Sequence, residues 1–334
     1  MIIAMIALGG VTRLTQSGLS MVKWEPIMGT LPPISMQEWN AAFNAYKQSP
    51  EFIHYNSDFS LSDFKNIFYW EYFHRLMGRI IGLFFIIPCI VFWIKGSFSK
   101  KLKKEVLLIL ILGVFQAVLG WFMVKSGLVN KPHVSHFRLC AHLFTAIVLL
   151  LYIFWVALSL KYEVKASEAS VLSNTLSCLV CLIFFQIIYG AFVAGLNAGL
   201  MYNTFPKMGT HWIPPDFIYI WKRQGWQSLI NSGGIVQFIH RIIALLILIN
   251  LGVLYLKTKK INLSYSQELY LHILILAICF QFISGILTLL NAVPIALGVI
   301  HQVGAVLVLL ILFLLVFSTK SSSKSRLYQT KSWL

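Results

Sequence analysis

Seven apolar runs of about 20 residues dominate the chain, and segments of that length suit a lipid bilayer, because ~20 helical residues rising ~1.5 Å each cross its hydrocarbon core. They lie near 67–94, 106–124, 137–160, 171–196, 233–256, 269–290 and 294–318. An eighth apolar stretch, 1–12, is shorter than a span, and the expectation is either a native start upstream or a truncated first helix. The charged leader and small-residue cleavage site of a signal peptide are not evident. Composition agrees: 58% of residues are hydrophobic and 11% charged, too few charges to cover a soluble domain of this size.

The formal net charge of +16 does not point to nucleic acid. The basic residues form no interleaved face but cluster between apolar runs, the pattern that orients membrane proteins. Lys95, Lys100, Lys101, Lys103 and Lys104 follow the second helix, and Lys257, Lys259 and Lys260 follow the sixth. Lys320, Lys324, Arg326 and Lys331 mark a basic tail over 319–334. These segments and both termini are expected on the cytoplasmic side, with the long connections 13–66 and 197–232 outside. In the first of these, Ser35 and Glu38 have capping-box spacing and predict an amphipathic helix. All five cysteines (Cys89, Cys140, Cys178, Cys181 and Cys279) fall in apolar stretches, where they read as buried, reduced thiols; the Cys178/Cys181 spacing inside a helix does not read as a metal or redox pair.

The sequence resembles itself at an offset of about 160–180 residues. Leu8-Gly-Gly-Val-Thr-Arg-Leu-Thr-Gln-Ser-Gly-Leu19 matches Tyr189-Gly-Ala-Phe-Val-Ala-Gly-Leu-Asn-Ala-Gly-Leu200. His74-Arg75 matches His240-Arg241, and Phe115-Gln-Ala-Val-Leu-Gly120 matches Phe280-Gln-Phe-Ile-Ser-Gly285. The order is kept, so the expected fold is an all-α integral membrane protein of eight transmembrane helices. These would form two parallel-repeat four-helix bundles, residues 1–160 and 171–318.

Histidine within a membrane helix is costly and is a functional candidate by default. His54, His133, His136 and His211 fall in the outer connections and His272 near an inner helix end, where interfacial roles suffice. His74, His142, His240 and His301 instead stand about two turns inside the second, fourth, sixth and eighth helices, all running inward, so their rings share one depth. Each could simply bond a neighbouring helix. Four in repeat-related places favour two bis-histidine haem sites, one per half. Gly78, Ala146, Ala244 and Ala305, four residues after each histidine, would admit a flat porphyrin, though small residues also serve helix packing. No carboxylate or cysteine cluster completes a zinc site there.

The halves are unequal. Glu71 stands three residues before His74, where the second half has Gln237. A carboxyl beside one site and an amide beside the other imply chemistry in the first half and electron transfer in the second; the alternative is a solvated, interfacial Glu71. Arg75, Arg79, Arg138 and Arg241 are candidates for haem propionates or for helix-end anchors.

Several long motifs carry a family resemblance. They are Gly9-Gly-Val-Thr-Arg-Leu-Thr-Gln-Ser-Gly-Leu-Ser-Met21, Glu71-Tyr-Phe-His-Arg-Leu-Met-Gly-Arg79, Gly120-Trp-Phe-Met-Val-Lys-Ser-Gly-Leu128, Asn197-Ala-Gly-Leu-Met-Tyr-Asn-Thr-Phe-Pro-Lys-Met-Gly209 and Val236-Gln-Phe-Ile-His-Arg241. Over residues 4 to about 318 the chain resembles the haem A synthase family, in its mitochondrial and proteobacterial branch. The resemblance implies an oxidoreductase that converts the C8 methyl of haem O to a formyl group, giving haem A for cytochrome c oxidase. It implies substrate haem O between His74 and His142 with Glu71 as catalytic carboxylate, and a haem b cofactor on His240 and His301. Some bacterial members carry cysteine pairs in the outer loops; this chain has none there, so a mechanism needing them does not apply. An electron donor, a partnership with haem O synthase and self-association are further expectations, as is a bacterial plasma membrane, favoured over the mitochondrial inner membrane by the missing presequence. Two rivals are a bis-histidine dihaem electron-transfer protein and a haem or isoprenoid-lipid transporter.

Overall fold

The computed structural model describes residues 1–22, 28–128, 133–162 and 172–320. The expected basic tail lies outside the described residues beyond 320. Among the described residues seven helices are long and apolar enough to cross a membrane: α4 (Leu61–Ile94), α5 (Lys100–Leu128), α6 (His136–Lys161), α7 (Ser173–Gly195), α10 (Gly233–Thr258), α11 (Tyr265–Leu290) and α12 (Ile295–Lys320). The chain is a multi-pass membrane protein. An eighth apolar helix, α1 (Ile2–Leu14), has 13 residues, a length of ~20 Å against a hydrocarbon core of ~30 Å. The shorter helices α2 (Met36–Tyr46), α3 (Pro50–Tyr55), α8 (Phe217–Gln224) and α9 (Ser228–Asn231) belong to the two long connections.

Local chemistry sets where the helices start and stop. Ser35 and Glu38 form the expected capping box of α2, satisfying two otherwise orphaned backbone donors. Ser60 and Asp63 do the same for α4, so that helix begins at Leu61, ahead of its apolar run. Ser264 and Gln267 cap α11. His136 is the first residue of α6, not part of the connection before it. Gln16 (φ 53°), just past α1, and Asn197 (φ 51°), just past α7, both take the left-handed conformation, which turns the chain sharply at a helix end. The two residues are repeat equivalents.

Packing follows pairs. Helix α1 lies on α4, α5 on α6, α7 on α10 and α11 on α12, while α6–α7 and α1–α12 join the pairs. By contrast, α4 meets α5, and α10 meets α11, only marginally. The largest apolar core gathers Ile6 of α1, Ile147 and Leu151 of α6, and side chains of α7, α10, α11 and α12, with Leu179, Leu254, Leu274 and Leu312 fully buried. A separate aromatic core fixes the outer connection to the head of α4. Trp39 meets Phe68 edge-on at 5.0 Å, and Phe43 and Tyr46 stack on Phe64 at 5.1 and 5.2 Å. Of the cysteines, only Cys140 is buried; Cys178, Cys181 and Cys279 face outward, which corrects the expectation that all would be interior.

A candidate four-histidine site

Each of the four membrane histidines lies against a glycine of the helix paired with its own. A Cβ added to Gly9 of α1 would stand 3.1 Å from His74 Nε2 on α4. On Gly120 of α5 it would stand 3.0 Å from His142 Cε1 on α6, on Gly190 of α7 3.2 Å from His240 Cε1 on α10, and on Gly285 of α11 2.7 Å from His301 Cε1 on α12. The missing side chain lets a ring lie on a neighbouring backbone. Gly9 and Gly190 are repeat equivalents, as are Gly120 and Gly285, so one device is used four times.

Glutamines one turn before three of these glycines reach the same rings. Gln116 Nε2 lies 3.1 Å from His142 Nδ1 and donates to the His142 carbonyl at 2.9 Å. Gln281 repeats this on His301, at 3.1 Å and 2.8 Å. Gln186 Nε2 is 3.2 Å from His240 Nε2. At the fourth position stands Met5, whose methyl instead faces Gly78, 3.4 Å from where a Cβ would be. The repeated Phe-Gln motif does not by itself give the glutamine a role. The signal was its spacing from a glycine that recurs in both halves.

The rings of His240 and His301 lie with centroids 6.5 Å apart and planes at 77°. Two metal–imidazole bonds of about 2 Å, with roughly 1 Å more from each nitrogen to its ring centre, call for about 6 Å. One iron between two imidazoles therefore fits this pair. Among the described residues no group of three His, Cys, Asp or Glu side chains could hold an ion. Two imidazoles suit an iron whose other ligands come from a porphyrin. His74 and His142 rest on their own glycine shelves.

Glu71 is 3% exposed and Gln237 is 3% exposed, so Glu71 is not the solvated interfacial carboxylate of the alternative reading. Its Oε2 accepts from Ser20 Oγ at 2.7 Å and from the Met21 backbone N–H at 2.8 Å. Its Oε1 pairs with Arg75, which also donates to the Met21 carbonyl at 3.1 Å. The second half builds the same frame with different chemistry. Arg241 donates to the Tyr202 carbonyl at 2.8 Å, and Gln237 donates to that carbonyl at 3.2 Å. Met21 and Tyr202 are repeat equivalents, as are Ser20 and Met201, so the hydroxyl that bonds Glu71 has a thioether as its counterpart in sequence. A cavity of about 200 Å³ next to this frame is lined by Met21, Arg75, Trp121 and Lys125, among others. Arg138 turns elsewhere, stacking on Phe122 at 3.6 Å and donating to its carbonyl at 2.7 Å, as a helix anchor does.

Comparison with known proteins agrees. The profile of the Cytochrome oxidase assembly protein family matches residues 1–313. The Heme A synthase of Nitrosospira multiformis is 43% identical over 313 residues, 92% of this chain and 87% of its own. That of Flavobacterium psychrophilum is 44% identical over 311 residues, 92% of both chains, and that of Wolbachia pipientis wMel 41% identical over 306 residues, 91% of this chain and 85% of its own. The chain belongs to the haem A synthase family.

Proposed function

We propose, with that membership as premise, that this enzyme of haem A biosynthesis oxidises the C8 methyl of haem O to a formyl group. The observation that carries the reading is the inequality of two otherwise matching frames, Glu71–Arg75–Met21 and Gln237–Arg241–Tyr202. In this reading α1, α4, α5 and α6 form one four-helix half and α7, α10, α11 and α12 its parallel repeat, eight membrane helices in all. Shared glycine shelves and shared left-handed helix ends support the correspondence.

Haem O, the substrate, is assigned to the first half between His74 and His142, and haem b to the second between His240 and His301. When bound, haem b supplies one-electron redox chemistry. Arg75 and Lys125, on the cavity wall of the first half, would take the substrate's propionates; guanidinium and ammonium groups match carboxylates in charge and hydrogen bonding. Two successive hydroxylations each insert one oxygen atom of dioxygen into a C–H of the methyl, while two electrons from a donor and two protons reduce the other atom to water; loss of water from the resulting geminal diol leaves the aldehyde. Glu71 can hold a proton at Oε2 or exchange it with Ser20 Oγ, and it keeps Arg75 aimed along the cavity wall. Gln237 has no titrating proton to offer.

Lysine placement supports inner termini and haem sites near the outer face, and the named bacterial relatives support a plasma-membrane location. The reading also calls for an electron donor and for delivery of haem O by its synthase. The test is haem extraction from cells that produce haem O, with and without this protein, followed by chromatography and mass spectrometry. Haem A or its hydroxymethyl intermediate should appear only with the protein. Unchanged haem O beside a purified protein holding two haem b groups would instead establish a dihaem electron carrier.

A further inference from the structure

An imidazole binds iron through an unprotonated nitrogen, and its other nitrogen then carries the proton and needs an acceptor. His301 and His142, at matching positions of the two halves, differ in whether an oxygen stands ready as that acceptor. In the second half Ser284, which is buried, places Oγ 3.1 Å from His301 Nδ1. Its own proton goes to the Gln281 carbonyl at 2.9 Å, so oxygen lone pairs are left to face the ring. Ser284 can therefore accept from Nδ1–H, leaving Nε2 of His301 bare.

The equivalent position in the first half is Leu119, one residue before Gly120 as Ser284 is one residue before Gly285. There the polar contact at His142 Nδ1 comes from Gln116, whose amide nitrogen lies 3.1 Å away. That amide is held nitrogen-first by its 2.9 Å bond to the His142 carbonyl, so it donates to Nδ1. This favours the tautomer with its proton on Nε2, the one that must change before iron binds there. Gln116 Oε1 is buried without a hydrogen-bond partner. It can accept an Nδ1 proton only if the amide turns over and gives up its bond to the carbonyl. Gln281 makes the same two contacts on His301, and its Oε1 is likewise buried without a partner, but there Ser284 Oγ offers Nδ1–H an acceptor without any turn of the amide.

We propose that Ser284 is the positioning residue that makes the second-half haem resident, and that Leu119 in its place makes His142 a releasable ligand. This rests on the assignment of a haem to each half. A synthase must let its product go while keeping its cofactor, and one hydroxyl present in one half and absent from the other separates the two behaviours.

The experiment follows haem transfer from the purified, haem-loaded full-length protein to excess apomyoglobin. The wild type should lose haem in two phases, the fast one missing from a His74→Ala variant. Ser284→Leu should speed the slow phase by about 10- to 100-fold, the usual cost of losing a metal ligand's hydrogen-bond partner, and should shift the low-spin ferric resonance of that haem. Ser284→Thr should restore both. Leu119→Ser should slow the fast phase, a gain that a damaged fold cannot imitate. A slow phase and resonance unchanged in Ser284→Leu, or a fast phase unchanged in Leu119→Ser, overturns the proposal. Failure of the haem assignment itself would show separately, as a wild type that binds no haem in the slow class.

Discussion

The two halves surround their histidines with the same parts and pack those parts differently. In the first half, buried residues of α4 end at Tyr72, and α5 buries only Ile109 and Gly127. In the second half, α10 buries residues along its length from Gly234 to Thr258, and α11 from Leu271 to Thr288. Close packing holds side chains in single rotamers, and loose flanks do not. The densely packed half also carries the amide and the serine; the loosely packed half carries the carboxylate. Under the proposed assignment, the site that keeps its ligand and the site that turns ligand over would call for these opposite supports.

Exchanging the residues that differ is the strongest way to break the comparison. In Glu71→Gln one end of the side chain must present N–H groups either to Arg75 or to the fixed Met21 N–H, so one side of the frame fails whichever way the amide turns. We expect haem A production in cells to fall to near background. Glu71→Ala should cost about 3 kcal/mol of stability as well, since it strands a partly buried Arg75, measured by thermal unfolding in detergent. Wild-type haem A production by Glu71→Gln would remove the carboxylate from the chemistry. The reverse exchange, Gln237→Glu, should change the melting temperature far less, because Arg241 already stands one turn away to pair with it.

The glycine shelves sharpen the comparison with a smaller effect. A Cβ at Gly285 would meet His301 at 2.7 Å, one at Gly9 would meet His74 at 3.1 Å. The ring must move in the first case and need shift only by tenths of an ångström in the second. Gly285→Ala should cost about 1–3 kcal/mol, as overpacking does, and strip haem b from the purified protein in a pyridine haemochrome assay. Gly9→Ala should leave haem b content unchanged. Equal losses of haem b from both variants would show that the sites are not separate.

Much of this was legible in the sequence, for physical reasons. Apolar runs reveal membrane helices because the bilayer allows no other use for them, and Ser35 with Glu38 announced α2. The inequality of Glu71 and Gln237 was also visible, since it lies within one helical turn of each histidine. Contacts between helices were not. That Gly120 lies under His142, or that Ser284 faces His301 while Leu119 does not face His142 in the same way, depends on how two distant segments pair. The loop clasp on Glu71 by Ser20 and Met21 likewise joins residues 51 and 50 positions apart. The start of α4 at Leu61 was hidden because Ser60 and Asp63 extend the helix into polar sequence.

The mildest test concerns the outer layer, which the first half has in α2 and α3 and the second half builds otherwise. Glu51 of α3 is buried, accepts from Tyr46 at 3.1 Å, and has its carboxyl pushed up to about 7, by burial first and by nearby Glu71, against the lowering influence of the Tyr46 hydroxyl and Arg13. The folded protein thus holds a proton that the unfolded chain releases near its ordinary value of 4.5. The stability this contributes is complete below that value, declines as pH rises toward about 7, and is gone above it. Amide hydrogen exchange over residues 36–55 should therefore quicken as pH rises through this window, after correction for intrinsic rates. Glu51→Gln should flatten the dependence. If both proteins responded alike, the α2–α3 layer would owe its pH response to some other group, and Glu51 would be a structural acceptor for Tyr46 alone.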